Sequence, residues 1–200
     1  LHPFGIDSKP NLDFARQQSL LQLAEAEGKD PVEVYVERLL ASEGREFFNF
    51  WMFGGNLDNQ WKYMQLPHVV PMLGDAGAHV GFFTDTDSPT VLLSELTREQ
   101  GVYSLPEAVH RITGKSAAII GLKERGELRE GWHADINVID YENLSTCHPE
   151  YVNDFPHGGG RFVVKGKGYD ATIVGGKVII KNGKHTGHRP GRVIREFVRG

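Results

Sequence analysis

With one cysteine, Cys147, the 200-residue chain cannot close an internal disulfide. That scarcity suits a reducing compartment, and a cytoplasmic location is expected. There is no apolar run of about 18 residues, the least a membrane-crossing helix needs. The first residues, Leu1-His2-Pro3-Phe4, lack the basic stretch and apolar core of a secretory leader. They also lack an initiator Met, which hints that the chain starts inside a longer protein. Positive charge is not in excess: 22 Lys and Arg face 26 Asp and Glu, for a net charge of −4. Bases gather only in the tail from Lys177 to Arg199, so a nucleic-acid partner is not expected. No Gly-x-Ser-x-Gly elbow occurs, which leaves His157-Gly158-Gly159-Gly160 without the company of an α/β-hydrolase oxyanion hole. Gly166-Lys167-Gly168 likewise lacks the strand-loop-helix setting of a phosphate loop.

What is present is an ordinary globular composition, 40% hydrophobic and 24% charged, without internal repeats. Two kinds of patterning divide it. Over residues 1–122, helical and buried-strand signals alternate, the rhythm of an α/β fold with parallel strands. Leu12 to Ala41 is helical. Asp30, Pro31 and Glu33 there have the spacing of a capping box with proline in the first turn. Val32, Tyr35, Val36, Leu39 and Leu40 share one face. Glu46 to Met52 and Val69 to Leu73 suit buried strands, and Asn56 to Leu66 a short helix between them. Helices are expected again over Ser88 to Gln100, from Ser104 with a Ser104/Glu107 capping box, and over Ser116 to Ile120 up to a Gly121 cap. Residues 123–200 change character. Glycines recur, Ala134, Ile136 and Val138 alternate with their neighbours, and Gly175-Gly176 and Asn182-Gly183 are hairpin turns. This half is a small all-β unit.

Asp75 is the sharpest chemical candidate. A carboxylate just past a buried strand, on the loop Gly74-Asp75-Ala76-Gly77, sits where α/β barrels place catalytic groups. It could bind a metal with one oxygen and accept a proton with the other, or simply cap the next turn. His79, four residues on, could ligate a metal, orient substrate or transfer protons, or it could hydrogen-bond to loop backbone. His185 and His188 lie in a Gly- and Pro-rich tail, a poor setting for a metal site.

Pro71-Met72-Leu73-Gly74-Asp75-Ala76-Gly77-Ala78-His79 resembles the eighth-strand loop of the amidohydrolase superfamily, in its branch of N-acyl-D-amino-acid deacylases (D-aminoacylases). Pro106 to Thr113, Ala117 to Leu122 and Gly126 to Asp140 are similar to the segment by which many amidohydrolases return from barrel to β-sandwich. Gly159-Gly160-Arg161, Gly168 to Val174 and Asn182-Gly183 resemble the deacylase sandwich strands. The resemblance implies a TIM-like (β/α)8 barrel whose C-terminal part is residues 1–122, followed by a β-sandwich at 123–200. It implies a hydrolase acting on amide C–N bonds, with a small N-acylated amine or amino acid as substrate. Asp75 becomes general base and ligand of a zinc centre, and His79 a substrate-binding residue. The other ligands would come from earlier strands, in a missing N-terminal barrel segment or a partner chain. A complete barrel takes about 250 residues, so the 200 residues are expected to be an inactive C-terminal fragment. One departure concerns substrate: deacylases carry a basic residue shortly after this loop, and Phe82 to Asp87 has none. Two alternatives stand beside this reading. One is another amidohydrolase, such as a cyclic amidase or deaminase; the other is a non-catalytic assembly or binding subunit.

Overall fold

Capping chemistry decides where the first helices start in the computed structural model, which describes residues 1–6, 9–10, 18–50, 57–71, 79–81, 85–195 and 197. Helix α1 (Leu20–Glu27) opens with a reciprocal box: the Ser19 hydroxyl accepts from the Gln22 amide at 3.2 Å, and Gln22 Oε1 accepts from the Ser19 amide at 2.8 Å. It ends at Gly28, whose φ of 67° suits a residue without Cβ. Helix α2 (Pro31–Ala41) is capped by Asp30, which accepts from the Val32 amide at 2.8 Å. The expected Leu12–Ala41 helix is thus two helices, broken at Gly28 and Asp30, with residues 11–17 outside the described ones.

Two compact units emerge from the pattern of contacts. Residues 1–57, 79–84 and 148–164 form one; residues 58–78, 85–147 and 165–200 form the other. Residue 122, where the sequence changes from helical to strand-rich, lies inside the second.

The first unit holds α1, α2 and a sheet of order β2-β1-β3, built from β1 (His2–Ile6), β2 (Lys9–Pro10) and β3 (Glu46–Asn49). Val34 packs with Leu20 and Ala24 between the helices, with Tyr35 and Phe48 beside them. Of the apolar face expected on α2, Tyr35 packs against this cluster, but the fully buried position is Val34, which lies off that face. Val34 is 3% exposed, whereas Val32 is 67% and Leu40 74% exposed. Which side of a helix is covered depends on its neighbours, which periodicity does not specify. A hairpin, β6 (Glu150–Val152) with β7 (Arg161–Val163), carries Tyr151 and Phe162, whose rings lie 5.0 and 5.3 Å from Phe47.

In the second unit, α3 (Leu57–Met64) precedes the irregular stretch 65–71. The α-helix expected over Ser88–Gln100 begins as α4 (Ser88–Val91) and then widens into a π-helix over Leu92–Glu99. Thr97 Oγ1 donates to the Leu92 carbonyl at 2.7 Å, and the Gln100 amide reaches Glu95 at 2.9 Å. Side-chain bonds of this kind stabilise a widened turn. Helix α5 (Leu105–Ile112) follows, and α6 (Gly114–Ile120) stops at Gly121 in the left-handed conformation, as expected. Ser104 makes no side-chain cap bond, so the anticipated box does not form. Glu107 turns to Arg111 instead, because a charge-assisted bond outcompetes a neutral cap. Leu92, Leu93, Leu96, Tyr103, Ala108 and Leu144 form the core.

The strand-rich part of this unit is a sheet of order β11-β10-β9-β4. Its members are β4 (Ile136–Ile139), β9 (Tyr169–Val174), β10 (Lys177–Lys181) and β11 (Lys184–His185). Both turns lie where expected: φ is 53° and 76° at Gly175 and Gly176, and 48° and 73° at Asn182 and Gly183. The alternation expected along β4 is broken by a register shift between Val138 and Ile139, which leaves Val138 exposed. A short pair, β5 (Ser145–Thr146) with β8 (Gly166–Lys167), completes the unit.

All pairings among the described strands are antiparallel. The parallel pairing expected of residues 1–122 is absent there. Strand β3 takes β1 as its partner, 40-odd residues earlier in sequence, and strand order alone does not select partners. Val69 to Pro71 carry no strand pairing, and Met72 and Leu73 lie outside the described residues. Among the described residues no helix is long and apolar enough to cross a membrane.

Candidate functional site

Sequence reasoning points to the loop Gly74–His79, and the structure describes the chain on both sides of it. Asp75, the principal candidate, lies outside the described residues together with its neighbours 72–78. His79 is described: it is exposed on a bend, and it belongs to the first unit. The next residue anchors the outgoing chain, for the Val80 carbonyl accepts from the Phe162 amide of β7 at 2.8 Å. The described residues thus place His79 at the outgoing end of the loop.

The incoming chain is held by a residue that the sequence reading did not single out. Arg111 is 4% exposed. Its Nη1 donates to the carbonyls of Met64 (2.8 Å) and Val69 (3.0 Å), and its Nη2 to that of Gln65 (3.2 Å). Nε and Nη2 both donate to Glu107 Oε1, at 3.1 and 3.0 Å. One turn on, Lys115 Nζ donates to the Pro67 carbonyl at 2.5 Å. Carbonyls at the end of α3 have no helical partner, and cations are favoured there. The i, i+4 spacing of Glu107 and Arg111 was visible in sequence. The carbonyls, more than 40 residues distant, were not.

Tyr103 lies beneath this guanidinium, 4.8 Å from ring centre to charge. Its hydroxyl is buried and has no hydrogen-bond partner among the described residues, and burial pushes the phenol above its ordinary pKa.

The remaining histidine clusters have structural uses. His185 Nδ1 accepts from the Gly187 amide at 2.9 Å. His188 borders an open hollow of about 450 Å³ with Lys177 and Lys181, whose charges disfavour a metal cation. His157 occupies a turn closed by the Phe155 amide on the Gly159 carbonyl, at 3.1 Å. Beside it Arg161 makes two bonds of 2.7 Å to Asp154 and holds that carboxyl below the usual carboxylate range. Among the described residues, no three His, Cys, Asp or Glu side chains are placed to hold a metal ion. The described part does not by itself fit the zinc centre that the sequence implies.

Comparison with known proteins gives these features a family. Residues 16–180 match the Amidohydrolase family. An N-acyl-D-aspartate deacylase from Alcaligenes xylosoxydans xylosoxydans is 38% identical over 106 residues, which make up 52% of this chain and 19% of that protein. A dihydroorotase from Endomicrobium trichonymphae is 36% identical over 94 residues, 45% of this chain and 21% of the relative. The chain therefore spans about a fifth of the length of these relatives. Among solved structures, a D-aminoacylase mutant in complex with copper chloride matches 98% of this chain and 38% of its own, at a TM-score of 0.55 and 22% identity. At that identity the likeness speaks for the α/β fold alone. With the family match running through most of its length, the chain belongs to the Amidohydrolase family.

Proposed function

We propose that this chain is part of a metal-dependent amidohydrolase that hydrolyses an amide C–N bond, most closely an N-acyl-D-amino-acid deacylase. The observation that carries the proposal is the 38% identity over 106 residues with an N-acyl-D-aspartate deacylase. In this reading residues 1–122 belong to the last part of a (β/α)8 barrel and residues 123–200 to a β-sandwich. The substrate is a small N-acylated amine or amino acid, handled in the cytoplasm without nucleic acid or membrane as partner.

Asp75 is the proposed catalytic residue. Its carboxylate takes a proton from the attacking water and passes it to the leaving amine nitrogen, so that one group serves as base and then as acid. His79, exposed at the far end of the loop, is proposed to contact substrate. Zinc is the proposed metal, with Asp75 as one ligand. The described residues supply no further ligand group. The rest are assigned to a barrel segment or partner chain beyond these 200 residues, without which the fragment is inactive.

The test is Asp75→Asn in the enzyme containing the whole barrel, assayed on N-acyl-D-amino acids. The turnover number should fall by about 10³-fold while the circular dichroism spectrum is unchanged. A folded variant with near-normal turnover overturns the assignment. Hydrolysis by another amidohydrolase type, such as a cyclic amidase, draws its support from the likeness to a dihydroorotase. Assaying cyclic amides beside N-acyl-D-amino acids separates the two.

A further inference from the structure

We infer that Arg111 is a positioning residue for the proposed catalytic loop, an inference that rests on the role proposed for Asp75. A guanidinium carries five N–H donors. Here all five are used, three on the carbonyls of Met64, Gln65 and Val69 and two on Glu107. A buried guanidinium is strongly disfavoured unless it is paired and fully hydrogen-bonded. Arg111 meets that demand by gathering backbone that has no regular partner of its own. Residues 65–71 are irregular, and they run directly into Met72 and the Gly74–His79 loop. Lys115 adds a second hold on the same stretch, at Pro67. The ring of Tyr103 lies under the guanidinium and the Glu107 carboxylate meets its edge, so Arg111 is itself fixed in place. Filling the core alone would need only an apolar side chain of similar volume. Five directed bonds, three of them to a segment six residues from Asp75 at its nearest, fix the path of the chain entering the loop. Small displacements of a catalytic group cost large factors in rate.

Two measurements on Arg111→Lys test this. Lysine keeps the charge but has three donors, without the planar fork. The first is amide hydrogen exchange. The Val69 amide, which donates to Leu66 at 3.1 Å, should exchange about tenfold faster. The Leu122 amide, bonded to Ala117 at 2.9 Å, should keep its rate. The second is steady-state kinetics in the enzyme with the whole barrel. The turnover number should fall about tenfold or more with KM within about twofold, and Arg111→Met should fall further. Lys115→Gln, which removes the ammonium bonded to Pro67 and, at 3.5 Å, to Val69, should move both readouts the same way by less. Unchanged exchange at Val69, equal acceleration at Val69 and Leu122, or unchanged turnover in folded Arg111→Lys overturns the inference. Asp75→Asn in the same enzyme separates the two proposals. Full activity there removes the role of Asp75, whereas the exchange rates report on the Arg111 tether regardless.

Discussion

The two units bury apolar helix surface to different extents. In the second, Leu92, Leu93 and Leu96 of the π-helix and Ala108 of α5 are buried with Tyr103 and Leu144, although Leu105 and Val109 of α5 stay exposed. In the first, only Leu20, Ala24 and Val34 are buried between α1 and α2, while Leu21, Val32, Val36 and Leu40 remain exposed. Apolar and polar residues are also more sharply segregated on the π-helix and α5 than on α1 and α2. The difference shows that burial follows both how sharply a helix segregates its apolar residues and which other segments are there to cover them.

Core truncation should separate the units most. Leu144 is fully buried, so Leu144→Ala should cost about 3–5 kcal/mol, while Leu20→Ala in the smaller core should cost about 2–3 kcal/mol. Urea unfolding of each variant checks the order, and equal losses would erase the contrast. On the exposed face, Val32→Ser and Leu40→Ser should leave stability within about 0.5 kcal/mol. A larger loss in the same unfolding experiment would mean that the face is covered in solution. The smallest effect is expected at Glu95, on the solvent side of the π-helix. Burial, then the charges of Glu99 and Asp87, raise its pKa above the usual value. A raised carboxylate pKa penalises the folded state once pH exceeds that pKa, and the penalty vanishes below the unfolded pKa. Glu95→Gln should therefore raise the melting midpoint slightly at neutral pH. The gain should disappear as the solution is acidified through the raised pKa, which melting curves at a series of pH values would record.

Local chemistry was the most legible part of the sequence. Asp30 caps α2, Gly121 ends α6, and Gly175-Gly176 and Asn182-Gly183 turn their hairpins, because each depends on a side chain or a positive φ within a few residues. Family membership was legible too, carried by the motifs around Asp75 and from Pro106 to Asp140. The Ser104 box failed for a reason of the opposite kind. Glu107 found Arg111, and Arg111 found carbonyls more than 40 residues away. A short-range motif cannot anticipate a competitor supplied by the fold.

What the sequence determined unaided was the inventory: where helices cap, where hairpins turn, which family the chain belongs to, and that Asp75 is the carboxylate to test. The tertiary structure alone decided the partners. It set β3 antiparallel to β1, chose Val34 over Val32 for burial, widened one helix into a π-helix, and brought Arg111 to the chain entering the loop. The physical reason is range. Caps and turns are settled by bonds spanning a few residues, whereas strand pairing, burial and the saturation of a buried guanidinium depend on groups that meet only when distant segments pack together.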